Sequence, residues 1–170
     1  MVLLLECQVL DIGTLCQTPD METTQVQLDT SIGYVLKRAA AALRASMDVA
    51  LRPLSLSVPQ YSCLELLGQR PGLSAAELAR GAFVTRQSMH AVLHGLEQRG
   101  LLARPATARR GRAMPSELTP AGRELLTAAS RVVAEVERTM VASLPPGDQR
   151  HLWSTLAACA DALASAPRPD

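Results

Sequence analysis

Between Ile32 and Leu51 the apolar residues Ile32, Leu36, Ala40, Leu43, Met47 and Leu51 recur every three or four positions, the one-sided stripe of a long amphipathic helix. Pro53 ends it. Ser57 and Gln60, with Pro59 in the first turn, are a capping pair that predicts a second helix to about Gln69. Beyond Pro71 and Gly72, Ser74 and Glu77 repeat that pairing, and Gly81 is expected to be the left-handed residue that closes a helix of about seven residues. Thr85 then caps a helix whose inner face is Met89, Val92, Leu93 and Leu96, with Gly100 as its stop. Two helices joined by a tight turn result. Residues 101–105 and 113–118 flank an Arg and Gly run at 109–112, the pattern of a two-stranded ribbon with a basic tip, and Pro115 confines its second strand to an edge. Thr119 and Pro120 open a long helix striped by Leu125, Ala129, Val132, Val136 and Met140, which Pro145, Pro146 and Gly147 end. The last helix carries Leu152, Leu156, Cys159 and Leu163 before the tail SAPRPD. The first 27 residues hold no sustained period and read as a tail, within which Met21 resembles a chain start.

Composition narrows what such a chain does. With 170 residues, 48% hydrophobic and 19% charged, it has material for one compact domain or a small domain with an added packing layer. Tyr34, Tyr61, Phe83 and Trp153 are the whole aromatic set, too few for base-stacking platforms or membrane girdles. Cys7, Cys16, Cys63 and Cys159 match no zinc spacing and read as reduced intracellular thiols. No apolar run reaches the 18 or so residues a membrane span needs, and the start lacks the basic, apolar layout of a signal peptide. A soluble, cytoplasmic chain with no membrane partner is expected.

Charge is concentrated where the average hides it. The chain carries +1, yet residues 70–112 hold eight Arg (70, 80, 86, 99, 104, 109, 110 and 112) against Glu77 and Glu97 and no Lys, which leaves −5 for the rest. Guanidinium on a helix pair and ribbon suits bidentate contact with phosphates and guanine edges. The plainer alternative is a solvated, Arg-rich surface. The segments GLSAAELA at 72–79, VTRQSMHAVLHGLEQRGLL at 84–102, and GR at 111–112 followed by LTPAGR at 118–123 together resemble the winged-helix core of the MarR family of bacterial transcription regulators, a likeness covering residues 56–126. The expected fold is therefore mainly α: a winged helix-turn-helix with a two-stranded β wing and long N- and C-terminal dimerisation helices. Its parts are a tail (1–27), a dimerisation helix (28–55), the DNA-binding lobe (56–119), C-terminal dimerisation helices (120–164) and a short tail (165–170).

In such a lobe the second helix of the pair enters the major groove with its N-terminal residues at base edges. Thr85, Arg86, Gln87, Ser88 and His90 are the expected groove residues, with Arg86 and Gln87 foremost for base readout; for Thr85 and Ser88 the alternative is capping alone. The resemblance places Arg112, with Arg109 and Arg110, at the wing against the backbone or minor groove. Many relatives hold an Asp two residues before the wing arginine, where this chain has Arg110, so that brace is missing or comes from elsewhere. His90 and His94, four apart, have metal-ligand spacing but no third ligand nearby. Cys63 reads as a core filler, the alternative being a reactive thiol. No catalytic residue, metal or cofactor is expected. The resemblance implies a homodimer on a pseudo-palindromic duplex and a small phenolic or other anionic effector, with Tyr34, Arg38, Arg44 and Tyr61 suggested as lining residues. The rivals are a DNA-binding regulator without small-molecule control and a small thiol- or metal-dependent enzyme.

Overall fold

The computed structural model describes residues 27–103 and 116–166. Within them the chain runs α1 (Ile32–Leu51), a 3-10 turn (Arg52–Leu54), α2 (Val58–Gln69), α3 (Ala75–Gly81), α4 (Arg86–Gln98), β1 (Leu102–Ala103), β2 (Glu117–Leu118), α5 (Pro120–Val141) and α6 (Pro146–Ser165). The helix starts lie where the capping residues predict. Ser57 and Ser74 each accept the amide of the residue three on, and Gln60 and Glu77 return a bond to the cap amide, closing two capping boxes. Thr119 accepts the Gly122 amide at 3.0 Å and donates its hydroxyl to the Gly100 carbonyl at 2.7 Å, which ties the start of α5 to the end of α4.

One core serves the lobe. Leu64, Leu67 and Cys63 of α2, Leu78 and Ala79 of α3, and Met89, Leu93 and Leu96 of α4 are buried together, joined by Leu101 and Leu102 at the ribbon. β1 and β2 pair antiparallel with Leu102 opposite Leu118 and Ala103 opposite Glu117. The ribbon tip, including Pro115, lies outside the described residues. α1 and α2 pack on α5, which buries Gly122, Ala129 and Val133. That differs from the expected stripe: Leu125, Val132 and Val136 are only partly buried and Met140 is exposed, because the inward face centres on the smaller residues that let helices approach. The last helix buries no residue at all, so Leu152, Trp153, Leu156 and Leu163 stand open, and Ile32 at the start of α1 is 79% exposed.

Two turn residues exchange roles relative to the sequence expectation. Gly81 stays within α3 and has no positive φ; a Cβ there would sit 2.9 Å from Leu66 Cδ1, so packing of α3 on α2 is what its small size serves. The left-handed residue is Phe83, at φ 54°, whose amide meets the Arg80 carbonyl at 3.2 Å before Val84 bonds back to Ala79. A non-glycine residue in that conformation costs about 1–2 kcal/mol. Gly100 behaves as expected, ending α4 at φ 68°.

Among the described glycines Gly122 has the closest surroundings, since a Cβ there would collide with the Leu101 carbonyl oxygen, which accepts the Thr119 amide at 3.1 Å. Gly122→Ala is expected to destabilise the chain by about 3 kcal/mol, the upper range for overpacking a core. Thermal unfolding measures it, and an unchanged melting temperature contradicts the close approach.

Candidate nucleic-acid interface

The rotation of α4 is set by its apolar face. Met89 and Leu96 are wholly buried, Leu93 nearly so and Val92 in part, which turns Arg86, Gln87, His90 and His94 outward. Thr85 and Ser88 at the helix start are exposed too, but both are occupied locally: Thr85 Oγ1 accepts the Ser88 amide at 3.1 Å, and the two hydroxyls lie 2.8 Å apart. Among the described residues, no hydrogen bond engages the side chains of Arg86, Gln87 or His90. The helix N-terminus, with its partial positive charge, adds to the same surface.

The arginines of the basic window divide in use. Arg80 and Arg86 flank the turn and are exposed. Arg99 instead donates from Nη1 to the Ser55 carbonyl at 2.8 Å, fastening the end of α4 to the loop after α1. Arg104, Arg109, Arg110 and Arg112 lie outside the described residues. His94 Nε2 lies 3.0 Å from Gln98 Nε2, and among the described residues no three His, Cys, Asp or Glu side chains gather where they would hold a metal ion.

Cys63 is fully buried and desolvation pushes its thiol up to about 12, the reverse of the lowered value that makes a thiol nucleophilic. Tyr61, half-buried beside it, is also raised to about 12, chiefly by burial, with the Glu65 carboxylate adding to the effect and a hydrogen bond to Ser130 opposing it. Glu65 bridges α2 and α5: one carboxylate oxygen accepts from Ser130 Oγ at 2.8 Å and the other from Gln69 Nε2 at 2.6 Å. Nothing in the sequence pattern marks this pair, since its partners are 65 positions apart. It forms the floor of a cleft of about 980 Å³ between α2, β2 and α5, whose rim includes Arg123, Thr127 and Arg131. Tyr34, Arg38, Arg44 and Tyr61 do not line it. Tyr34 and Arg38 instead meet on α1, the guanidinium carbon 5.9 Å from the ring centre. Among the described residues no helix is long and apolar enough to cross a membrane.

A capped helix behind a tight turn, with a two-stranded ribbon following, defines a winged helix-turn-helix protein. Its likeness to known proteins is more specific. A sequence model described as MarR family matches residues 54–113. The chain is 46% identical over 122 residues to the HTH-type transcriptional repressor Rv2887 of Mycobacterium tuberculosis, covering 72% of this chain and 88% of that one. Two solved structures of that M. tuberculosis MarR family protein superpose well. Its complex with salicylic acid has a TM-score of 0.67 at 44% identity, covering 77% of this chain and 97% of the other. Its complex with DNA has a TM-score of 0.66 at 41% identity, covering 77% and 98%. This chain belongs to the MarR family.

The raised Cys63 and Tyr61 values carry a pH dependence. Against ordinary values of 9.0 and 10.0, the unfolded chain releases these protons before the folded one does. The stability held by the protonated folded forms is therefore fully present below pH 9 and is lost as pH rises from 9 towards 12. Urea midpoints are expected to fall across that window, and less steeply in Cys63→Ala. A midpoint constant from pH 9 to 11 contradicts the assignment.

Proposed function

We propose that this chain is a sequence-specific repressor that binds double-stranded DNA as a homodimer and is released from its operator by a small anionic effector. The observation that carries the reading is the start of α4: a capped, exposed helix N-terminus presenting Arg86, Gln87 and His90 outward from a fixed apolar face, beside the exposed Arg80. Arg86 and Gln87 reach base edges in the major groove, His90 lies deeper along the same face, and Thr85 and Ser88 hold the helix start against the backbone. Arg109, Arg110 and Arg112 at the wing contact phosphate or the minor groove. Residues 28–55 and 120–164 form the dimer, for a physical reason: the apolar positions left open on α1 and α6, with Trp153 74% exposed, need a second chain to cover them. The cleft between α2, β2 and α5 is large enough for a drug-sized molecule, and Arg123 and Arg131 on its rim suit an anion. The relative solved with salicylic acid supports that chemistry. As a regulator the chain performs no catalysis, in keeping with the buried, protonated Cys63.

Selection of DNA fragments by the purified protein from a random pool tests the reading directly. An inverted repeat with half-sites about one helical turn apart is expected; recovery of no preferred sequence contradicts it. On the selected duplex, Arg86→Ala is expected to cost about 1–3 kcal/mol of discrimination while affinity for random duplex changes little. Equal losses on both duplexes contradict base readout by Arg86. Arg112→Ala is expected to lower the slope of log affinity against log salt by about one, because one fewer phosphate is neutralised. An unchanged slope removes Arg112 from the contact set.

A further inference from the structure

Phe83 occupies the turn between α3 and α4 with its side chain 95% exposed and its backbone in the left-handed region at φ 54°. Both features count against it in the free protein. A glycine or asparagine would take that backbone conformation at less cost, and an exposed benzyl group gains nothing from the lobe core. A strained residue left this exposed by the described residues points to a contact made elsewhere. Its position says where. Phe83 precedes the α4 cap, Thr85, by two residues, which puts it within about 7 Å of the helix N-terminus. The exposed guanidinium groups of Arg80 and Arg86 flank it three residues to either side. An exposed ring three residues from an exposed arginine on either side fits a partner that offers apolar patches framed by negative charge, which is the edge of the major groove: phosphates enclosing deoxyribose C–H faces and thymine methyl groups.

We propose that Phe83 is a DNA-contacting residue that packs its ring on the apolar surface of the duplex at the groove edge, positioning the start of α4 beside it. The inference rests on the DNA-binding reading above. Each homodimer presents the ring twice.

The test uses Phe83→Asn, Phe83→Gly and Phe83→Tyr in the full chain, with the duplex recovered by selection and the same duplex carrying deoxyuridine in place of thymine. Phe83→Asn and Phe83→Gly are expected to melt about 2–4 °C higher than the parent as backbone strain is relieved. They are expected to bind about tenfold more weakly as the apolar contact is lost. Phe83→Tyr keeps the parent's affinity. The salt slope stays unchanged in all three, since the ring neutralises no phosphate. A loss on deoxyuridine duplex in the parent but not in Phe83→Asn assigns the contact to thymine methyls; an indifferent parent assigns it to deoxyribose. Parent-like affinity in Phe83→Asn and Phe83→Gly overturns the proposal while leaving DNA binding intact, as does a loss that appears as an altered salt slope. Lower melting temperatures in both variants give Phe83 a role within the fold and overturn it too. A parent chain that shifts no duplex overturns the repressor reading itself.

Discussion

Burial of Leu64, Leu78, Met89 and Leu96 against one another fixes how α4 is turned about its own axis, and the surface proposed to meet DNA depends on that rotation. A helix has no preferred rotation of its own. Once Met89, Leu93 and Leu96 are committed inward, the positions on the opposite side of the helix, Arg86, Gln87 and His90, have only solvent to face. Four fully buried side chains of this size contribute several kcal/mol, far more than any surface contact competing to twist the helix. The capping bonds of Thr85 and Ser88 then define where the helix begins, and Arg99 anchors its far end to the Ser55 carbonyl.

The turn before α4 shows the opposite economy. Gly81, where conformational freedom is available, spends its small size on contact with Leu66, while the strained position falls to Phe83. Most of the lobe follows the preference for apolar groups inside and relaxed backbone throughout. The place that departs from both adjoins the exposed Arg80, Arg86, Gln87 and His90, as expected where local stability is traded for recognition.

A second division separates the lobe from the helices that carry it. α1 and α5 pack along each other, yet α6 buries nothing and Ile32 stays open. The wing base and α5 are coupled closely through Gly122, Leu101 and Thr119, and the cleft lies on the same junction, with Glu65 and Ser130 at its floor. A molecule held there would touch α2, β2 and α5 together, so the mechanical connection between the helical scaffold and the DNA-binding lobe runs through its walls.

Local organisation is legible in the amino-acid sequence alone. The helix spans, the Ser57, Ser74, Thr85 and Thr119 caps, the inward face of α4, the buried role of Cys63 and the family likeness all follow from residues within one or two turns of each other, because helix periodicity and capping are short-range physics. The start of α4 as a candidate site follows from the same signals together with the run of arginines. What only the folded chain decided involves partners far apart in sequence: Glu65 with Ser130, Arg99 with Ser55, the Leu101 carbonyl against Gly122, and the choice of Phe83 rather than Gly81 for the left-handed turn. Those depend on how closely elements approach after packing, a distance that no spacing along the chain encodes.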